Sequence, residues 1–274
     1  MKIMTIDIPK EYQPALEMIS QMTDTYVVGG YIRDSLMGVL NDDVDIDVAI
    51  HGSYIDQIAK KAEENGYTVN RDGLKFGVIT IYIDKTRKID VAQFRNEIYI
   101  ENSRKPIVEK SDNINDDLSR RDFTISAIAY KYPSGQIIDM FGGISDMKKK
   151  IIRCVGNPND RFREDPLRIL RALRFATRFN FEIEENTMNS IIANASRLSI
   201  VSGERIREEL MKSFSYDPER FFMLLEKSKI LYQIFPEYMN AKEIVHDNRY
   251  GHYSENLIQH VMDMLKKHKT DHTF

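Results

Sequence analysis

Val27-Val28-Gly29-Gly30-Tyr31-Ile32-Arg33-Asp34-Ser35-Leu36-Met37-Gly38, followed by Asp43-Val44-Asp45-Ile46-Asp47, is the stretch that decides the fold. It reads as a strand, a glycine turn, a short helix and a second strand carrying alternating carboxylates. Strand side chains alternate between faces, so Asp43, Asp45 and Asp47 share one face and Val44, Ile46 and Val48 the other. Acids fixed side by side repel one another unless a cation lies between them, and hard oxygen donors suit Mg2+. Glycines let backbone approach a phosphate, and the helix that follows offers its N-terminal N–H groups. A solvated edge strand guarded by charge would carry the same three acids. The glycine pair and Arg33-Asp34 close by favour a joint site for an anion and a cation.

Working outward, the chain of 274 residues has room for one large domain or two to three small ones. Its 42% hydrophobic and 30% charged residues are ordinary for a globular protein in water. A net charge of −3 offers no global argument for nucleic-acid binding, so any such argument is local. One cysteine, Cys154, excludes an internal disulfide framework and a Cys-based zinc site, and fits a reducing cytosol. Residues 1–7 hold no apolar signal core, and no run approaches the ~20 apolar residues of a membrane span. A cytoplasmic protein without a membrane partner is expected.

Along the chain, residues 9–22 predict an amphipathic helix and Thr25–Val28 a strand. Ile32–Met37 predicts a helix that stops at Gly38. The carboxylate strand spans 43–50. Residues 53–65 predict a helix with Ser53 as its cap. Tyr67–Arg71, Phe76–Ile83 and Arg87–Phe94 predict strands, the last two joined by a turn at Asp84-Lys85-Thr86. Residues 95–116 are polar and predict an exposed loop. Leu118–Tyr130 predicts a helix, Gly135–Asp139 a strand, and Gly142-Gly143 a boundary. Asp165–Phe179, Glu184–Ala195, Ser202–Ser213 and Pro218–Lys227 then predict helices. The expectation is an α+β half, a mixed sheet with helices over 1–142, followed by an all-α neck over 143–215 and body over 216–274.

Gly29-Gly30-Tyr-Ile-Arg33-Asp34-Ser-Leu-Met-Gly38 and Asp43-Val-Asp45 resemble the signature of the class II tRNA nucleotidyltransferases (CCA-adding enzymes) and bacterial poly(A) polymerases. The resemblance covers roughly residues 8–235 and implies a polymerase-beta-like nucleotidyltransferase head. It also implies Asp43 and Asp45 as metal ligands for Mg2+, with Asp47 accessory to them. Asp90 is a candidate third carboxylate that helps deprotonate the primer hydroxyl; a solvent-facing strand acid reads equally well there. Two-metal transfer places one ion on the attacking hydroxyl and one on the leaving pyrophosphate. By the same resemblance Gly30 and Arg33 hold the triphosphate.

Asp117-Leu118-Ser119-Arg120-Arg121-Asp122-Phe123-Thr124-Ile125-Ser126 resembles the family's Arg-Arg-Asp-Phe-Thr segment, with Ser126 in place of the usual Asn. Paired arginines at a helix start oppose the helix dipole, a cost that a bound anion would relieve. An exposed charge cluster capping the helix is the alternative. The resemblance implies that Arg121 contacts the triphosphate and Asp122 the ribose side. The loop from Phe94 to Pro106 aligns with the family's flexible loop at nearly full length, which implies an ability to add the terminal A.

Glu164-Asp165-Pro166-Leu167-Arg168-Ile169-Leu170-Arg171-Ala172-Leu173-Arg174 is the third match. Asp165 and Arg168 are three apart and are expected on one helical face. One supplies acceptors and the other forked donors, enough to read a base edge without a template. An intrahelical ion pair has the same spacing. The resemblance implies that Asp165 and Arg168 select CTP and ATP over UTP and GTP, with Arg171 and Arg174 stabilising the pair or the phosphates. Six arginines against two acids between Arg161 and Arg178 make a local positive patch. Ser202–Leu210 resembles the next family helix and is expected to be structural.

His252 to His260 resembles the opening of an HD phosphohydrolase domain, with His260 as first metal ligand. No His-Asp doublet follows His260 before Phe274, so no competent HD site is expected. The reading is template-independent addition of CCA, or its final A, to tRNA 3′ ends from CTP and ATP. A poly(A) polymerase and an RNA-binding remnant are the alternatives. A dinucleotide fold is disfavoured because Gly29-Gly30 lacks the Gly-x-Gly-x-x-Gly spacing.

Overall fold

β1 (Thr25–Val28) is buried along its whole length, as its unbroken Tyr26-Val27-Val28 requires of a strand covered on both faces. The structure is a computed structural model. It describes residues 6–40, 45–98, 107–238, 261 and 263–265, with backbone only at 96–98, 107 and 108. Two compact units emerge: Met1–Lys149 with Arg153–Gly156, and Lys150–Ile152 with Asn157–Phe274.

The first unit is built on a sheet of seven strands. Their order is β3 (Thr68–Asn70), β4 (Val78–Tyr82), β5 (Lys88–Gln93), β2 (Ile46–Ile50), β1, β8 (Ala129–Tyr132) and β9 (Gln136–Ile138). β2 and β5 run parallel with Asp47 opposite Asp90. The other neighbours are antiparallel, so the sheet is mixed as expected. α1 (Gln13–Ser20) and α3 (Ile55–Glu64) pack together. α3 buries Ile55, Ile58, Ala59 and Ala62 at helical spacing. Each large apolar side chain buried this way stabilises by about 1.5–3 kcal/mol. A separate core cluster gathers Tyr26, Val28, Ala49, Ala129, Phe94, Leu118 and Val155.

Several elements start or end where the sequence expectation did not put them. The carboxylate strand begins at Ile46, so Asp45 precedes it and Asp47 is the acid within β2. Tyr54, not Ser53, occupies the cap position of α3. Ser53 Oγ instead accepts from Lys110 Nζ at 2.9 Å. The expected loop 95–116 contains a ribbon of β6 (Arg95–Ile98) and β7 (Ile107–Lys110), then α4 (Ile114–Ser119). Asn113 caps α4 by accepting from Asn115 N at 2.9 Å.

Instead of a helix over Leu118–Tyr130, α4 ends at Ser119, a short 3-10 turn covers Thr124–Ser126, and β8 follows. Backbone bonding draws this segment away from a helix: Thr124 N donates to Arg153 O, and Val155 N to Asp122 O. α2 (Gly30–Met37) does stop at Gly38, which takes the left-handed conformation. α5 (Gly143–Lys149) packs on the Thr124–Ser126 turn so closely that a Cβ at Gly143 would collide with the Thr124 carbonyl. The Gly142-Gly143 junction therefore lies inside the first unit.

The second unit is helical apart from one short parallel pair, β10 (Ile151–Ile152) with β11 (Glu182–Ile183). Its helices are α6 (Pro158–Glu164), α7 (Leu167–Phe179), α8 (Glu185–Asn194), α9 (Gly203–Phe214), α10 (Pro218–Lys227) and α11 (Leu231–Ile234). α7 buries Leu170, Leu173 and Ala176 among others, and packs on α9 and α10. Its last turn ends at left-handed Asn180. There Arg220 of α10 donates to the Ala176 and Phe181 carbonyls at 3.3 and 2.7 Å.

Candidate functional site

In the first unit the glycine turn sets the geometry. Gly29 has φ +77°, and a Cβ there would stand 2.7 Å from Asp47 Oδ2 and 3.4 Å from Arg121 Nη1. Only glycine allows that backbone angle and that approach together. Gly30 opens α2, one turn ahead of Arg33. Arg33 is buried: its Nε donates to Asp34 Oδ1 at 2.7 Å and its Nη1 to Ser126 Oγ at 3.3 Å. Ser126, at the departure from the family pattern, is thus an acceptor for a buried guanidinium.

Asp45 stands just before β2 and is exposed. Lys88, the first residue of β5, places its Nζ 3.5 Å from Asp45 Oδ2 and 3.2 Å from Asp90 Oδ2. Thr80 Oγ1 of β4 donates to the other Asp90 oxygen at 2.5 Å. Asp47 keeps part of its surface in solvent, yet the protein packed around its carboxyl pushes its pKa up. Arg121 opposes that shift, and the charges of Asp90 and Asp45 add to it. Among the described residues no three acids, histidines or cysteines surround one metal position. Asp43 lies outside the described residues.

Arg120 and Arg121 sit at the C-terminal end of α4, not at a helix start, so the argument that they oppose the dipole is overturned. Cations are favoured there. Asp117, one turn back and fully buried, takes Arg120 Nη2 at 2.6 Å and Arg121 Nη2 at 3.1 Å. Burial raises the pKa of Asp117, but Arg121 and Arg120 outweigh it and hold the carboxyl below its ordinary value. Arg121 Nη1 reaches the Ser126 carbonyl at 3.5 Å, while its buried Nε has no hydrogen-bond partner among the described residues. Asp122 is buried and accepts from Phe123 N at 2.9 Å.

In the second unit Asp165 lies between α6 and α7 in an extended conformation, φ −140° and ψ 102°. Contrary to the expectation from their spacing, it does not share a helix face with Arg168. Pro166 disfavours helical backbone at the residue before it. Asp165 Oδ1 accepts from Leu167 N at 3.1 Å and Oδ2 from Arg205 Nη2 of α9 at 2.9 Å. Arg168 Nη1 donates to Glu164 at 2.6 Å and to the Arg161 carbonyl at 3.3 Å. Arg174 is buried, donates to Glu209 of α9 at 2.6 Å and stacks 4.4 Å from Phe175, which ties α7 to α9. Arg171 stands over the same ring at 5.4 Å.

Sequence reading did not find Lys88, Asp117, Glu164 or Arg205. Arg205 falls in the Ser202–Leu210 stretch expected to be structural, and its partner is forty residues earlier in the chain. The loop residues 99–106 and His252–His260 lie outside the described residues. Among the described residues no helix is long and apolar enough to cross a membrane, and Cys154 is a buried free thiol.

Residues 25–153 match the family model described as the poly A polymerase head domain. Residues 180–242 match the one described as the probable RNA and SrmB-binding site of polymerase A. The CCA-adding enzyme of Ligilactobacillus salivarius is 36% identical over 211 residues, 75% of this chain and 50% of that protein. A CCA-adding enzyme structure in an apo form superposes with TM-score 0.74 at 32% identity, over 85% of this chain and 56% of the other. The Bacillus stearothermophilus CCA-adding enzyme in complex with CTP gives 0.69 at 30%, over 81% and 53%. The Thermotoga maritima CCA-adding enzyme complexed with tRNA-CCA gives 0.70 at 29%, over 85% and 54%. The chain thus spans about half the length of the relatives it matches.

Proposed function

Because the chain belongs to the family of tRNA nucleotidyltransferases and poly(A) polymerases, we propose that it adds CCA, or its final A, to tRNA 3′ ends from CTP and ATP. The observation that carries the reading is the pair Asp45 and Asp90, brought to one end of adjacent strands around a single positive charge. Two hard oxygen donors that already share a cation have the chemistry of a divalent-metal site, and Asp43 would complete the family's set. Mg2+, when bound, supplies a lowered pKa at the attacking hydroxyl and a charge partner for pyrophosphate.

The chain's own groups do the rest. Asp90, fixed by Thr80, orients toward the primer hydroxyl and draws its proton. Gly30 N–H, Arg33 and Arg121 hold the triphosphate; the unmatched Nε of Arg121 supports that role. Asp122 serves the ribose side. Asp165, its carboxylate oriented by Arg205, accepts from the exocyclic amino group that cytosine and adenine share. Uracil and guanine present an oxygen there and meet an acceptor with an acceptor. Arg168 donates to the base, and Arg171 and Arg174 stiffen the helix that carries it. The first unit serves as head, the helices from α6 on as neck, and residues from 216 as the start of a body. The protein acts in the cytoplasm.

Incubation with Mg2+, each labelled nucleotide in turn, and tRNA lacking its CCA end tests this. C and A incorporation that stops after three residues is expected, and Asp45→Asn or Asp43→Asn lowers it by about 10³-fold. Equal use of all four nucleotides removes the base-selection roles. Unlimited A addition identifies a poly(A) polymerase, and tight tRNA binding without incorporation an RNA-binding protein.

A further inference from the structure

Lys88 stands where the metal reading needs positive charge. Its Nζ lies within 3.5 Å of one oxygen on Asp45 and 3.2 Å of one on Asp90. Alternation along β5 puts Lys88 and Asp90 on the same face, and the parallel register with β2 brings Lys88 alongside Asp45. The ammonium is held without being locked in. Its side chain is 35% exposed, and those of Asp45 and Asp90 are 48% and 32% exposed. Its stem starts at the end of a strand, and no buried guanidinium-like fork fixes its direction. A lysine side chain ordinarily titrates far above neutral, so it is an ammonium at neutral pH.

We propose that Lys88 is an internal counter-ion that holds the Asp45 and Asp90 carboxylates together before metal arrives and is displaced by the incoming divalent cation, so that it sets how tightly the metal binds. This rests on the metal reading above. An arriving dication must take oxygens that the ammonium already occupies and must approach a like charge. The repulsion of a unit charge against a dication at about 4 Å, even when water-screened, corresponds to about tenfold or more in affinity. Lys88 thereby keeps the acids from splaying apart and makes the metal-free state one that can reload.

The test is Mn2+ binding to the full chain without nucleotide, read by the electron paramagnetic resonance of free Mn2+, together with thermal unfolding in chelator and in excess Mn2+. Lys88→Met, which keeps the stem and removes the charge, is expected to bind Mn2+ about tenfold more tightly. It is expected to melt lower than wild type in chelator, with the deficit erased by Mn2+. Lys88→Arg keeps wild-type affinity within a few-fold, and Lys88→Gln repeats the measurement if the Met variant does not fold. Unchanged or weaker Mn2+ binding in the neutral variants overturns the proposal, as does an Arg variant that tightens as much as the Met variant. Asp45→Asn separates the two levels. If it binds Mn2+ as wild type does, the metal site itself fails and the counter-ion role goes with it. If it loses Mn2+ while Lys88→Met stays at wild-type affinity, the site stands and only the role of Lys88 is lost.

Discussion

The acids of the sheet and the acid ahead of α7 are neutralised in opposite ways. Asp45 and Asp90 share one flexible, partly exposed ammonium. Asp165 is gripped by a backbone N–H and by the guanidinium of Arg205, while Arg168 is gripped by Glu164 and a backbone carbonyl. A group that exchanges one cation for another must be held loosely. A group that reads shape and hydrogen-bond polarity must be held still, since a buried donor or acceptor discriminates only if it has no room to turn. Under the proposed function, the contrast pairs chemistry with the first unit and choice with the second.

The largest test of that contrast is Asp45→Asn. Loss of a charge required in the transition state is expected to lower incorporation of every nucleotide by about 10³-fold, measured as initial rate under saturating substrate, with the C-to-U ratio of the residual activity unchanged. A shifted ratio would merge the two roles. Asp117→Asn comes next. It leaves Arg120 and Arg121 without their buried partner, and urea unfolding is expected to show a loss of about 3 kcal/mol. The pH dependence has a definite sign: the folded pKa is depressed, so the contribution is present above an ordinary carboxylate value of about 4 and is lost as pH falls through the folded value. The variant should flatten the acid limb of the stability curve.

Gly29→Ala is expected to cost about 1–3 kcal/mol for a backbone at φ 77° and ψ −139° that is essentially reserved for glycine, with a further loss from collision with Asp47 Oδ2 at 2.7 Å. Calorimetric stability and incorporation rates should fall together, because the same turn carries the proposed phosphate donors. The smallest effect is the most diagnostic. Arg205→Ala frees one oxygen of Asp165, and U or G misincorporation relative to C should rise about tenfold, the equivalent of one charge-assisted hydrogen bond. The rate with CTP should change little. A uniform loss of rate without a loss of selectivity would make Arg205 a structural strut.

Local signals made much of this legible in the sequence. β1, the Gly38 stop, the Asp84 turn between β4 and β5, and α10 all follow from apolar runs, left-handed glycine, side-chain-to-backbone bonding and a proline-led helix. The misplacements have physical causes. Helical spacing across Asp165–Arg168 ignores Pro166, whose ring turns the preceding residue extended and ends α6 there. Arg120 and Arg121 read as a helix start because α4 is short and polar, its apolar Ile114 and Leu118 set among Asn and Asp. Lys88, Arg205 and Asp117 escaped notice because nothing in the period of a strand or helix says which distant charge a residue will meet; only the sheet register and the α7–α9 packing bring those partners together.

The position of β1 has a consequence for biosynthesis. It is bordered by β2 and by β8, and β8 is complete only at Tyr132. While the chain emerges from the ribosome, β2 can zip onto one edge of β1 early, but the other edge waits for the whole intervening segment. During that interval a strand that ends up buried along its whole length offers open backbone donors and acceptors to any passing chain. The slow step in making this head is therefore closure of a long loop, paid for in chain entropy rather than in local structure, and a nascent chain stalled before Tyr132 is the form most in need of a chaperone.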